Sequence, residues 1–153
     1  MVFACNETKK RVLIDELTDK RSPGDCYNTY IYVMYHEGKL FDGIAFDVCY
    51  NGTIKEEISY VDGKMDGMRI KWFCLGDGDN QSLEFEKEYK NGHRNGLFRE
   101  YSEESGKPYF ERNYKYSQID NCSYIDGEEK WWDYETGISL ESSYWRDGQL
   151  ISN

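Results

Sequence analysis

Apolar and polar residues alternate along most of this chain, the pattern of strands with two distinct faces. Tyr30, Tyr32 and Met34 fall on one face of a first strand, and Ile31, Val33 and Tyr35 fall on the other. Both faces are apolar or aromatic, so this strand is expected to be covered on both sides. Further on, the pattern can be aligned on Gly43, Gly67, Gly96 and Gly127. The fifth residue after each is large and apolar: Val48, Trp72, Tyr101 and Trp132. Turn signals follow at Tyr50-Asn51-Gly52, Glu103-Glu104-Ser105-Gly106 and Glu135-Thr136-Gly137. Asn-Gly and Ser-Gly supply the positive φ that tight hairpins need. The chain then returns along Ile54 to Tyr60, Leu83 to Tyr89, Pro108 to Tyr114 and Ile138 to Tyr144. Hairpins of this register predict a cross-strand core of Phe46, Val48, Trp72, Phe85, Tyr101, Phe110, Trp132 and Leu140.

One phrase links the hairpins. Tyr35-His36-Glu37-Gly38, Tyr60-Val61-Asp62-Gly63, Tyr89-Lys90-Asn91-Gly92 and Tyr144-Trp145-Arg146-Asp147-Gly148 recur, with a degenerate copy at Tyr114 where Ser117 replaces the glycine. The tyrosines are 25, 29, 25 and 30 residues apart. Self-similarity at this period marks a repeat protein whose units contact mainly their neighbours. The expected fold is all-β: an antiparallel meander of β-hairpin repeats forming an elongated, twisted sheet of roughly eight to ten strands. Its tyrosines should form a cross-strand ladder. Residues 27–153 make the repeat domain. Residues 1–26 read as an N-terminal extension or tether, in which Arg11 to Leu17 is a short strand or one helical turn. Two units carry insertions, at 74–80 and 121–125, and insertions in repeat proteins map to loops.

These residues resemble the MORN-repeat superfamily, in the shorter variant of bacterial YwqK-type antitoxins. Tyr60-Val-Asp-Gly-Lys-Met-Asp-Gly67 and Tyr89-Lys-Asn-Gly-His-Arg-Asn-Gly96 carry the repeat's turn. Glu57-Ile-Ser-Tyr60, Glu86-Lys-Glu-Tyr89, Glu111-Arg-Asn-Tyr114 and Glu141-Ser-Ser-Tyr144 carry its strand ending. The resemblance spans about residues 30–150. It implies a MORN-like hairpin array, and a role in toxin neutralisation or immunity.

Charge narrows the partner. The formal net charge is −10, which disfavours nonspecific binding to nucleic acid or anionic lipid. It favours a protein partner with a basic surface, which could be a toxin or effector. No apolar run is long enough for a transmembrane segment. The five cysteines, Cys5, Cys26, Cys49, Cys74 and Cys122, include no C-x-x-C pair, so thiols are the default expectation. Met1-Val2-Phe3-Ala4-Cys5 resembles the end of a bacterial lipoprotein signal, which makes Cys5 a candidate for lipidation. The basic and apolar parts of such a signal are missing as the sequence is written. The chain so written reads as cytoplasmic. The alternative is an envelope lipoprotein anchored at Cys5, in which the other cysteines could form disulfides.

Candidate chemistry is sparse. Asp77-Gly78-Asp79-Asn80-Gln81 echoes a calcium loop, but Ser82 stands where the sharp turn needs glycine. His36 and His93 sit in turns with no triad spacing. A glycosidase would need two carboxylates facing across a cleft, which an open meander does not offer. The sequence therefore reads as a binding module and not an enzyme, with no cofactor and no metal. The partner-binding residues are expected at the acidic tips and insertions: Asp77, Asp79, Glu103, Glu104, Glu128 and Glu129, with Trp145 as an aromatic anchor. A structural or envelope-associated repeat protein that binds glycan or another surface protein is the alternative.

Overall fold

The structure, a computed structural model, describes residues 9–23, 30–74 and 81–153. Cys5, Cys26, Asp77 and Asp79 lie outside the described residues. The remainder is all-β. In chain order the strands are β1 (Arg11–Leu13), β2 (Thr18–Pro23), β3 (Tyr30–His36), β4 (Lys39–Leu40), β5 (Gly43–Val48), β6 (Ile54–Val61) and β7 (Lys64–Trp72). They continue as β8 (Leu83–Lys90), β9 (His93–Tyr101), β10 (Pro108–Ser117), β11 (Cys122–Trp132), β12 (Ser139–Arg146) and β13 (Gln149–Ser152). A 3-10 turn, Ile14–Glu16, follows β1.

Strands β5 to β13 pair in sequence order, each antiparallel to the next, as the repeat pattern predicts. β1 joins the first edge in parallel, with Val12 opposite Ala45, and completes a ten-stranded sheet. Ten strands at about 4.8 Å spacing span about 43 Å, so the sheet is long for so short a chain. β2, β3 and β4 form a separate three-stranded sheet. Residues 11–23, N-terminal to the repeats, thus contribute two strands and a 3-10 turn, with one strand in each sheet.

The recurring phrase has a geometric reason. Glu37-Gly38, Asp62-Gly63, Asn91-Gly92 and Asp147-Gly148 are two-residue hairpin loops in which both residues have positive φ, from 44° to 84°. Such turns match the twist of their strands. Each later turn is bonded to the unit before it. Gly63, Gly92 and Gly148 donate their backbone N–H to the carbonyls of Phe41, Met65 and Ile125, at 2.8–2.9 Å. The next residue on that earlier strand finishes the link. Asp42, Asp66 and Asp126 accept from the backbone N–H of Asp62, Asn91 and Asp147, at 2.8, 3.2 and 3.2 Å. Asn95 does the same for Tyr116, at 3.1 Å. These acceptors directly precede Gly43, Gly67, Gly96 and Gly127, which accounts for the Asp-Gly and Asn-Gly pairs.

The same glycines make room for the tyrosines. Gly43 lies opposite Tyr60, Gly67 opposite Tyr89, and Gly96 opposite Tyr114. A residue without Cβ leaves the ring free to lie across the strand. The tyrosine ladder is present but interleaved, because Phe98 sits 5.3 Å from Tyr89 and 4.8 Å from Tyr114. In the last unit the register slips by one. Trp145 faces Gly127, and Tyr144 faces Glu128.

The expected core is corrected. Phe46 shares a cross-strand row with Glu57, Ile70 and Glu86, whereas Phe85 and Phe110 share the adjacent row with Lys71 and Glu100, on the opposite face. Val48 is 38% exposed and Leu140 is 60% exposed. The cause is a register shift at each hairpin, at Asp47/Val48, Lys71/Trp72, Pro108/Phe110 and Trp131/Trp132. An extra residue there inverts the alternation that a strict period of two assumes. The apolar core lies instead where the small sheet covers the first hairpins: Val12, Phe41, Ala45, Ile58 and Tyr60 are buried, with Met34 against them. β3 also lies against two of the tight turns. A Cβ on Gly63 would meet the Met34 carbonyl at 2.6 Å, and one on Gly92 would meet Ile31 at 2.6 Å.

The default expectation of free thiols is also corrected. Cys49 and Cys74 form a disulfide, with Cα atoms 5.6 Å apart, that ties the β5–β6 tip to the end of β7.

Two stability predictions follow from this geometry. Gly38→Ala meets open space and should cost about 1 kcal/mol of turn strain. Gly63→Ala adds a clash with a backbone carbonyl and should cost at least about twice that in urea unfolding. Equal costs would show that the small sheet does not hold this turn. Cys74→Ser should remove about 3 kcal/mol of stability in urea unfolding.

Candidate functional site

One face of the ten-stranded sheet interleaves rings, cations and carboxylates. Arg69 pairs with Glu56 at 2.8 Å and lies 5.3 Å from the centre of the Phe85 ring. Lys87 sits 4.4 Å over the same ring and pairs with Glu100 at 2.6 Å. Lys71 pairs with Glu84 at 2.8 Å. Arg112 lies over Phe110 at 5.1 Å and pairs with Glu129, and Phe110 in turn contacts Trp131 at 4.3 Å. Long cations cover the rings with their stems and reach a carboxylate beyond. The opposite face carries a flatter ladder. Arg99 bridges Glu86 at 3.0 Å and Glu111 at 2.6 Å, and Arg11 pairs with Glu57 near the edge. Hydrogen bonds with Tyr101 and to Glu111 hold the Arg99 pKa above the usual guanidinium range.

The aromatic face ends in a groove at the tips away from the tight turns. Phe73, Phe85, Glu100, Tyr101, Tyr109 and Tyr134 line most of a cavity of about 350 Å³. The register shift between Pro108 and Phe110 releases Tyr109 from the ladder, and its ring packs 5.2 Å from that of Tyr134. The Tyr109 hydroxyl donates to Glu100 at 2.8 Å. Burial, and then the Glu100 carboxylate, push the Tyr109 pKa up to about 12. Burial alone would raise the Glu100 pKa, but hydrogen bonds from Lys87 and Tyr109 outweigh it and hold the group below the usual carboxylate range.

Two tips dock on each other at the rim of this groove. The Glu103 N–H donates to the Tyr134 hydroxyl at 3.2 Å, Ser105 Oγ donates to the Tyr134 carbonyl at 3.4 Å, and Lys107 Nζ donates to the Thr136 carbonyl at 3.4 Å. Ser102 is fully buried beneath them. Asp133 accepts from the Thr136 N–H and hydroxyl, which closes its tip and lowers the Asp133 pKa. Glu103, Glu104 and Glu135 remain exposed, and among the described residues none of the three has an ion pair.

The acidic residues singled out from the sequence therefore separate. Glu103 and Glu104 stand together at this rim. Glu128 and Glu129 are within β11 and not at a tip. Glu128 pairs with Lys130. Glu129 is 7% exposed and engaged by Arg112. Trp145 is partly buried in β12 beside Gly127, and its indole N–H is buried with no hydrogen-bond partner among the described residues. Glu128 and Trp145 occupy successive rungs of the β11–β12 ladder, so they face opposite sides. The histidines are not simple turn-surface groups. His93 is buried and stacks on Tyr116 at 4.3 Å, and His36 lies 3.8 Å from Glu16. Tyr109 and Tyr134 went unnoticed in the sequence. The available signals were Pro108 at a strand start and an aromatic residue inside the Asp133–Gly137 turn.

Among the described residues no group of three or more His, Cys, Asp and Glu could hold a metal ion, and no helix is long and apolar enough to cross a membrane. No protein-family model, curated protein or solved structure matches the chain.

The depressed Glu100 pKa has a signed consequence. Such a group stabilises the fold above its unfolded pKa of about 4.3, and that contribution is lost as pH falls through the folded value. Glu100→Gln should cost about 1 kcal/mol or less at pH 7, because the pair is partly screened by solvent. As pH falls through that folded value the wild-type carboxyl takes up its proton, and the two urea midpoints should converge. A constant gap across that range would remove the ionic role of Glu100.

Proposed function

We propose that this chain is a non-catalytic protein-binding repeat module, and that it acts as a bacterial immunity or antitoxin-like protein that covers a basic surface on a toxin. The observation that carries the reading is the tip end of the sheet. There Glu103, Glu104 and Glu135 are exposed on the two tips that dock through Tyr134, and among the described residues none of the three has an ion pair. Exposed carboxylates steer a basic partner and raise its association rate, while a desolvated aromatic ring supplies affinity. The net charge of −10 adds to the steering. The resemblance to MORN-type antitoxin repeats supplies the toxin. Carboxylate-pair catalysis is the weaker reading, since Glu84 and Glu100, both at the groove, are already engaged by Lys71 and Lys87.

A second reading is an envelope-associated repeat protein that binds glycan or another surface protein. The Cys49–Cys74 disulfide favours it, because disulfides persist in oxidising compartments. Lipidation at Cys5 would belong to this reading.

Co-expression with each neighbouring gene tests the first reading. One neighbour should be toxic alone, be neutralised by this chain and co-purify with it. Absence of protection would sink the antitoxin role. In a purified complex, Glu103→Lys with Glu104→Lys should slow association by about tenfold at low salt, with less effect at high salt.

A further inference from the structure

We propose that the free edge of the ten-stranded sheet, strand β13, pairs antiparallel with β13 of a second copy of this chain and joins the two sheets. The sheet ends differently on its two sides. At the first edge β1 has three residues, places Val12 in the apolar core and carries Arg11, which pairs with Glu57. At the other edge β13 pairs only with β12 among the described residues. Proteins commonly blunt such an edge with a charge or a proline. β13 has neither. It is the one strand of the ten without a charged side chain, and none occurs from Gly148 to Asn153. In a chain with 31% charged residues, the gap falls on the strand where a charge would prevent pairing.

Exposed apolar surface gathers at the same edge. Leu150 and Ile151 are 49% and 54% exposed, and Leu140 and Tyr144 of β12 are exposed beside them. These side chains lie on both faces of the sheet. Leu150 stands opposite Trp145, whereas Tyr144, the preceding residue of β12, points the other way. A partner lying on one face would leave the other in water, but a strand added at the edge brings side chains to both. The backbone is also disposed for this. Arg146 and Gln149 flank the two-residue turn, so at the next rung Leu150 directs its N–H and C=O away from β12. Ile151 is the extra residue at the register shift, which keeps the new ladder short and the association weak. The charge pattern selects the occupant. The net charge of −10 favours basic partners elsewhere on the chain, but an uncharged edge gives a basic strand nothing to pair with. Two copies bring together Gln149, Leu150, Ile151 and Ser152, none of them charged. Antiparallel pairing about a two-fold axis carries each Asp147-Gly148 turn to the far end of the partner strand, so like charges stay apart.

This dimer does not depend on what binds the tips. The test is sedimentation equilibrium of the full chain over a concentration series reaching about 1 mM, with a monomer–dimer Kd on the order of 100 µM expected. Added salt screens the repulsion between two chains of −10, so the dimer should tighten as salt rises, the opposite of an acidic surface meeting a basic one. Leu150→Lys with Ile151→Lys alters only exposed side chains and should leave a monomer throughout the series. Should that variant fail to fold, Leu150→Ala and Leu150→Pro are compared. Alanine removes the side chain alone, and proline also removes the outward N–H, so proline should weaken the dimer about tenfold beyond alanine. Nitrogen-15 amide signals that shift on dilution should cluster at Gln149–Ser152 in the wild-type chain. A monomer at every concentration would overturn the proposal. So would a dimer that survives both lysines, equal effects of alanine and proline, or a dimer that weakens with salt. Species that grow beyond the dimer would also overturn it, because a two-fold pairing of β13 edges closes on itself.

Discussion

The hydrogen bonds between successive tight turns are the constraint on which the sheet depends. A single-layer meander has few apolar contacts to fix the phase of one hairpin against the next. Here a backbone carbonyl and an Asp or Asn side chain on one unit capture the backbone N–H groups of the following turn. Those donors point out of a two-residue loop with positive φ, so glycine and its preceding residue are set by the bond they must make. The tyrosine position follows, because the glycine after each Asp or Asn lies opposite it. The repeated phrase thus records one geometric unit whose parts are not independent. The unit that lacks it shows the dependence. Around Ser117 the tight turn is replaced by a longer tip, Gln118–Asn121, in which Asn121 adopts φ 61°, and the Asn95 side-chain bond to Tyr116 persists.

With the turns fixed, the strands need less from a core. Buried apolar residues concentrate where the small sheet and β1 cover the first hairpins, around Phe41 and Ala45. Beyond that region the strands are joined by rings capped with cations and by carboxylate bridges such as Arg99 with Glu86 and Glu111. Each exposed pair contributes little, but a network that spans several strands opposes slippage, since a one-residue shift would place like charges together. Charge alternation across strands accordingly specifies register more than it adds stability.

Much of the fold was legible in the sequence because turns announce themselves. Asp62-Gly63 and Asn91-Gly92 require particular residues, and the tyrosine spacing located the hairpins between them. The face assignment failed for a physical reason: a bulge needs no distinctive residue, so the shifts at Lys71/Trp72 and Pro108/Phe110 left no mark. The candidate site suffered from the same blindness. Glu103 and Glu104 could be placed at a tip by their turn residues. Glu128 and Glu129 follow Asp126-Gly127, which reads as a turn, whereas that pair lies inside β11 and receives the next hairpin. Tyr109 reaches the groove only because the bulge re-aims it.

The two ends of the sheet divide the labour, and this decides where a partner can act. At the tight-turn end the backbone donors and the Asp and Asn side chains are consumed in holding units together, so substitution there alters the fold before it alters recognition. The other end is built differently. Its tips close on themselves, through bonds such as Ser102 to Lys107 and Asp133 to Ile138, and dock through Tyr134. They vary in length and expose Glu103, Glu104 and Glu135, which have no ion pair among the described residues. A surface made from Glu103, Glu104 and Tyr134 can therefore be reshaped for a partner while the register upstream stays intact, the separation of scaffold from binding loop on which repeat proteins rely.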